Sequence, residues 1–235
     1  MPEILARRAG HLVAPEKPRR PIKGRPVKSR PQPGVPRQPR IKVFPVHRLD
    51  RDTSGLLMFA LSTSVEEQLV NLFSSHSIER AYRAVALGNV RGMTIESELA
   101  RDRGDGLRGS VPQKSKDTQH AITHVRPVQG LGNYTLVECR LETGRTHQIR
   151  IHLSEQGHMI CGEKTYVKPL GGKTVFDRSG APRLALHAFR LDFTHPVSGR
   201  KIGIEAPLPP DLKHFIDRLQ REKKAPKPKP QRPQP

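Results

Sequence analysis

Fourteen of the 23 prolines lie in two terminal stretches, and this distribution limits where a folded core can form. Nine fall within residues 1–42 and five within 218–235. Proline fixes φ and removes a backbone donor, so a chain interrupted every few residues can neither extend a helix nor join the middle of a sheet. The same stretches concentrate charge, with 12 Lys/Arg against 2 acids in 1–42 and 7 against 1 in 218–235. Segment 16–40 has no apolar periodicity with which to offset the entropy of ordering, and the tail KKAPKPKPQRPQP matches it in composition. Both are expected to be extended, polyproline-like and solvated. A core must therefore come from 43–217, which holds 23 bases, 19 acids and nine prolines in 175 residues. The chain's total charge of +20 thus sits mostly outside an ordinary globular middle.

The basic ends have three readings: a solubilising linker, an electrostatic arm for a polyanion, or a patch for an anionic membrane surface. No amphipathic apolar face accompanies the charge, which disfavours the membrane, and nucleic acid is the expected partner. No apolar run approaches the roughly 18 residues of a bilayer span. The opening residues carry an acid at Glu3 and no apolar h-region, so no secretory signal is expected. Cys139 and Cys161 are too few for a disulfide scaffold and lack metal-ligand spacing; both are expected to be buried or incidental thiols. A cytoplasmic setting, no membrane and a monomer are the default expectations.

Within the middle, Leu56–Leu61 is an apolar run of strand length behind the turn residues Thr53-Ser54-Gly55. Ser64 and Glu67 have capping-box spacing, and Leu69, Leu72 and Phe73 follow on one helical face. Ala81–Leu87 is expected to form a strand ending at Gly88, and the Gly/Arg-rich segment 101–110 a surface loop. Thr118–Val125 and Tyr134–Leu141 read as paired strands joined near Gly130-Leu131-Gly132. Thr146–Gly157 reads as a helix with Thr146 as N-cap, Ile149 and Leu153 one turn apart, and Gly157 as its stop. Leu184–Phe193 and Lys201–Ala206 are strands around a turn at 195–199, and a last helix from about Asp211 carries the stripe Leu212, Phe215, Ile216, Leu219. Strands outnumber helices and many links are short, which predicts an α+β fold, a mixed and mainly antiparallel sheet flanked by a few helices.

Two stretches are dense in chemistry. Val46–Gly55 packs His47, Arg48, Asp50, Arg51, Asp52, Thr53 and Ser54 directly before an apolar strand. Alone it could be a polar loop whose acids pair with neighbouring arginines. Gly144–His152 sets Arg145, His147 and Arg150 at an expected helix N-terminus, where backbone N–H groups favour anions, or it is an ordinary basic helix face.

Together they resemble a family. His47-Arg48-Leu49-Asp50 followed by Thr53-Ser54-Gly55 is similar to the HRLDxxTSG signature of the RluA-type pseudouridine synthases. Gly144–Leu153 resembles that family's GRTHQIRxHL motif. Leu186-His187-Ala188, His195-Pro196 and Ala206–Pro209 follow in the family's order, Arg80-Ala81-Tyr82 stands at its Lys/Arg-x-Tyr strand start, and Ala9–Pro15 is similar to its early segment. Two departures stand out: Arg7-Arg8 replaces the early Lys-Pro, and Gly157–Glu163 carries Met159 and Glu163 where the family has Pro and Asp. The resemblance implies the pseudouridine synthase catalytic fold over 43–219, with 1–15 as its first strand and turn, 16–42 as a basic insert and 220–235 as a tail. Fifteen residues ahead of the insert leave no room for the S4-like RNA-binding domain of some relatives, so the basic extensions are expected to replace it or to be dispensable.

The resemblance further implies isomerisation of uridine to pseudouridine in ribosomal or transfer RNA, with no cofactor and no metal. Asp50 would be the nucleophile. A carboxylate attacks only when ionised, which a nearby cation secures; Arg150 is implied for that role, with Arg145 as the alternative. Tyr82 would stack on the uracil and assist removal of the C5 proton. Arg48 would fill the space left by the flipped base, His47 would order the loop, and Ile149 would line the uracil pocket or pack in the core. Thr53 and Ser54, with Gly55, would hold the Asp50 loop through side-chain-to-backbone bonds. The alternative from another class is a catalytically silent RNA-binding or ribosome-assembly factor on the same fold.

Overall fold

In a computed structural model, residues 42–169 and 171–224 are described in full and 4–9 by their backbone pairing. Residues 16–41 of the inferred 16–42 insert and the tail beyond Lys224 lie outside the described residues. Among the described residues, ten strands and three helices follow in the order β1 (Ile4–Ala9), β2 (Phe44–Pro45), β3 (Ser54–Ala60), α1 (Thr63–Ser74), β4 (Glu79–Leu87), β5 (Met93–Ala100), β6 (Gly109–Val111), β7 (Gln119–Gly130), β8 (Tyr134–Leu141), α2 (Gln148–Glu155), β9 (Leu186–Thr194), β10 (Lys201–Glu205) and α3 (Pro210–Lys224). They form one sheet ordered β1-β3-β9-β4-β8-β7-β5-β6, with β10 beside β9 and β2 beside β3.

Every pairing is antiparallel except the short contact of β3 with β9, where Ser54 faces His187 and Gly55 faces Ala188. The expected mixed, mainly antiparallel sheet is what forms. Gly55 makes the parallel contact possible. Its φ is +124°, and a Cβ there would stand 2.1 Å from the Ala188 carbonyl oxygen, so no other residue fits without moving β9.

Three buried clusters fill the space around the sheet. The largest packs Val85, Val137 and Cys139 against Ile149 and Leu153 of α2 and the expected α3 stripe Leu212, Phe215, Ile216 and Leu219. A second joins Leu56, Met58 and Ala60 to Val65 and Leu69 of α1 and to Leu191 and Phe193 of β9. The third sets Ile151 among Leu99, Ala121 and Tyr166. Seven of the eight α2 residues are consequently buried, so the helix is held from two sides. Truncating Ile149 or Leu153 to Ala would cost about 2–5 kcal/mol.

Several local expectations are corrected. Helix α1 is capped by Ser62, whose hydroxyl accepts from the Val65 N–H, not by Ser64. Helix α2 starts at Gln148, and its N-cap is His147 in a left-handed conformation, not Thr146. The Gln148 side chain supplies the order instead, accepting from the Arg145 N–H and the Thr143 hydroxyl and donating to Ile122 O and Thr123 Oγ1. The C-terminal stop at Gly157 stands: its N–H reaches Ser154 O, and the His158 N–H reaches Leu153 O. Segment 101–110 is not wholly a surface loop, since Arg103 is buried against Asp105 and Glu155, and β6 begins at Gly109. Strand β5 carries only Ile95 and Leu99 as buried apolar residues among polar ones. Helix α3 continues to Lys224, past the boundary at 219. No helix among the described residues is long and apolar enough to cross a membrane.

Candidate active site

The loop before β3, the start of β4 and the N-terminal turn of α2 surround an open cleft of about 440 Å³ lined by both chemistry-bearing stretches. The loop turns tightly, with the Thr53 N–H donating to the Asp50 carbonyl. It is tied to β3 by His47, whose Nε2 accepts from the Met58 N–H at 3.0 Å while its ring stacks on Phe73 at 4.5 Å. Burial, with Arg80 adding to it, lowers the His47 pKa to about 4, so the imidazole is neutral and acts as an acceptor.

A second tie comes from β9. His187 Nε2 faces the Ala206 carbonyl and must donate to it, leaving Nδ1 to accept from the Ser54 hydroxyl at 2.9 Å. Ser54 in turn accepts from Arg183, which forks onto Asp211 at 2.7 and 3.3 Å. Ser54 therefore holds the loop through side chains, not through the expected backbone bond. Thr53 departs further: its hydroxyl is buried in the cleft wall with no hydrogen-bond partner.

Helix α2 presents Arg150 from its first turn. The guanidinium forks onto Glu163, with both N···O distances 2.7 Å, and its third nitrogen stands 3.9 Å from Asp50. Glu163 has a side-chain exposure of 0% and also accepts the N–H groups of Lys164, Thr165 and Tyr166. Burial alone would raise the Glu163 pKa, but Arg150 and the backbone donors outweigh it and hold it low. Burial likewise opposes the Arg150 charge, and Glu163 more than restores it. Across from Arg150, His147 Nε2 lies 3.9 Å from the other Asp50 oxygen, and its Nδ1 is 2.7 Å from the Tyr166 hydroxyl. Burial lowers the His147 pKa and Asp50 works against that. At 3.9 Å neither group hydrogen-bonds the carboxylate. Asp50 is thus bracketed by two polar groups with space between.

Tyr82 enters the cleft just after a register shift in the β4–β9 pairing between Ala81 and Tyr82, a local bend that re-aims the side chain. Burial pushes its phenol up to about 12, with Arg80 opposing and Asp50 adding, so it stays protonated at neutral pH.

A family model described as RNA pseudouridylate synthase matches residues 9–155. The chain belongs to the RNA pseudouridylate synthase family. Among curated relatives, the ribosomal large subunit pseudouridine synthase D of Neisseria meningitidis (serogroup A) is 40% identical over 182 residues, covering 75% of this chain and 48% of the relative. An RNA pseudouridine synthase of Bacillus subtilis is 39% identical over 178 residues, covering 75% and 55%. The chain thus spans about half the length of the curated relatives it matches. In structure it is similar to human RNA pseudouridylate synthase domain containing 4, with a TM-score of 0.64, 22% identity and 76% of each chain covered. Human RNA pseudouridylate synthase domain containing 1 gives 0.62 at 25% identity, covering 79% of this chain and 81% of that one. These two likenesses concern the fold.

In this synthase-family chain the cleft brings together Asp50, Tyr82, Arg150, Arg48, His47, Arg145, Ile149 and Thr53. Ser54 and Gly55 stand behind its wall, one bonded to His187 and the other pressed on Ala188. Arg48 is exposed at the rim. Ile149 does two things, lining the cleft and packing in the largest cluster. Arg145 makes no ion pair with Asp50 among the described residues, and its Nε donates to the His120 carbonyl. Three residues outside the expected set also matter. Glu163 and His147 were visible only as members of quoted motifs, and Arg183 had no signal in the sequence. Cys139 and Cys161 are free, buried and away from the cleft lining, with their thiols pushed up to about 12 by burial.

Proposed function

We propose that the protein is an RNA pseudouridine synthase that isomerises uridine in structured RNA, with Asp50 as its nucleophile. The observation that carries this reading is the convergence of Asp50, Tyr82 and Arg150 from three distant segments on one cleft, with Asp50 close to polar groups yet bonded to neither. A binding module has no need of that arrangement. The reaction breaks the N1–C1′ bond, turns the uracil and forms C5–C1′; N1 gains a proton and the C5 proton leaves to solvent, so the product has the formula of uridine. It is redox-neutral and asks for no cofactor.

The uridine must leave its stack, at a cost of a few kcal/mol that contacts in the cleft offset. Tyr82 offers a stacking face and an O–H donor. At rest the phenol is protonated, so helping to take the C5 proton would require Tyr82 to ionise once the uridine is bound. Arg150, oriented by Glu163, and His147 stand where they can steady the attacking carboxylate and the charge that moves as the glycosidic bond breaks. Arg48, exposed along the cleft lining, would fill the vacated stack. The relatives named for the large ribosomal subunit support its RNA as the substrate over transfer RNA. A monomer working in the cytoplasm completes the proposal.

The test is tritium release from RNA labelled at uracil C5, using unmodified transcripts of the source organism's ribosomal and transfer RNAs. Release by the wild-type chain and none by Asp50→Asn is expected. No release from any transcript, or equal release by both proteins, would overturn the reading and leave the silent RNA-binding factor in its place.

A further inference from the structure

Among the described residues, only two non-glycine residues, His76 and His147, have positive φ, and both line the cleft. His147 flanks Asp50. His76 does something else. It occupies the C′ position that ends α1, where its own N–H reaches Phe73 O and the Ser77 N–H reaches Leu72 O. Glycine is the favoured residue there, and a side chain with a Cβ is kept at a conformational cost. Strain retained at a cleft wall directs attention to what stands beside it.

Beside it is Arg80, a cation with 9% of its surface exposed and no ion pair among the described residues. One nitrogen donates to the Glu142 carbonyl at 3.2 Å, and Phe73 lies 5.9 Å from the guanidinium carbon. Its Nε is buried and has no hydrogen-bond partner. Its Nη1 presses on Gly144, where a Cβ would stand only 2.2 Å away. The other buried arginines are satisfied differently: Arg103 and Arg150 each fork onto a carboxylate. Arg145 follows Gly144 in the chain and is also without an ion pair among the described residues. Glu142, whose field reaches His76, is bonded to His124. Burial and Arg145 push the Arg80 guanidinium down from its usual value, and burial, Arg80 and Arg145 do the same to His76. The two guanidiniums disfavour each other and keep the neighbouring imidazole neutral, and a single anion would relieve the pair while His76 donates to it.

We propose that Arg80, Arg145 and His76 form a subsite for a phosphodiester of the RNA strand, on the flank of the cleft next to Tyr82. This rests on the RNA reading above. Guanidinium forks match phosphate oxygens, and a nucleotide whose base reaches Tyr82 carries its phosphates with it. The subsite would hold the strand while the base turns.

The experiment measures RNA binding by the full chain across a salt series, with the same unmodified transcripts as the probe, for wild type, Arg80→Met, Arg80→Lys and Arg145→Met. Each Met variant is expected to raise KM and to lower the slope of log affinity against log salt by about 0.7, the value for one single-strand contact. Arg80→Lys should keep the slope. Arg80→Met should melt no lower than wild type, because it replaces a buried cation that has no anion partner; a purely structural arginine would show the opposite. An unchanged slope in folded Arg80→Met, or a slope lost equally in Arg80→Lys, overturns the proposal. Should Arg80→Met fail to fold, Arg145→Met decides in the same way. A wild-type chain that binds RNA but releases no tritium would sink the isomerase reading, and the slope comparison would still decide the subsite.

Discussion

Replacing Glu163 with Gln isolates the contact on which the cleft depends. The carboxylate is fully buried and takes five hydrogen bonds: two from Arg150 at 2.7 Å, and the N–H groups of Lys164, Thr165 and Tyr166 at 3.0, 2.7 and 3.3 Å. Gln keeps the shape, removes the charge and turns one acceptor into a donor facing donors. Arg150 is left as a buried cation, and breaking one half of such a pair costs about 3–5 kcal/mol. For a folded unit of this size each kcal/mol moves Tm by roughly 2–4 °C, so Tm should fall by roughly 6–20 °C, read by circular dichroism.

The pH dependence has a definite sign. Because the Glu163 pKa is depressed in the folded chain, its contribution is fully present above the unfolded value of about 4.3 and fades as pH falls through the folded value. The gap in stability between wild type and Glu163→Gln should therefore close on acidification below about pH 4.3. Glu163→Asp keeps the charge and should keep the acid dependence. At temperatures where the Gln variant is folded, tritium release should still drop, since the freed Arg150 can move from 3.9 Å into a direct pair with Asp50 and block it. A Tm loss below about 2 °C, or a gap indifferent to pH, would refute the reasoning, because the buried-pair scale requires more.

Thr53→Val should leave Tm unchanged or slightly higher, as the lost hydroxyl has no partner, while RNA affinity falls by about 1 kcal/mol if that hydroxyl meets substrate; equal KM values would exclude such a contact. His76→Gly should raise Tm by roughly 2–4 °C through relief of about 1 kcal/mol at the C′ position and yet weaken RNA retention on a filter assay. Ser54→Ala leaves both His187 Nδ1 and an Arg183 N–H short of a partner and should cost about 1–3 kcal/mol in urea unfolding. Deleting 16–40 should flatten the salt dependence of RNA binding while tritium release at saturating RNA persists; an unchanged slope would make that segment a solubiliser.

What could be read in the sequence followed the strength of the local signal. The α3 stripe was plain because four apolar residues recur at helical spacing and all four are buried. The β9–β10 hairpin announced itself by its turn residues. Strand β5 did not, because Ile95 and Leu99 are too few to mark a period among Glu and Ser. The N-caps were misplaced where a side chain further along supplied the order, as Gln148 does for α2. The expected site residues came from two motifs, and motifs name members without distances. That Arg150 gives its fork to Glu163 and only a distant nitrogen to Asp50 depends on how residues 150 and 163 fold back, which no spacing encodes. Arg80 stands in the sequence only as part of the Arg80-Ala81-Tyr82 motif, since a lack of partners shows only in three dimensions.

The position of β9 carries a consequence for time. Strands β3 and β4 are consecutive in the chain but do not touch, because β9 lies between them and pairs with both. Until residue 194 has been made, the part of the sheet holding Asp50 and the part holding Tyr82 have no strand to join them. The Ser54 tether waits longer still, for Asp211 to anchor Arg183. Domains generally fold as units during synthesis, and this one would assemble its cleft only after β9 and Asp211 have been made. A nascent or prematurely ended chain would then carry every residue of the first motif and still be unable to close on a nucleotide.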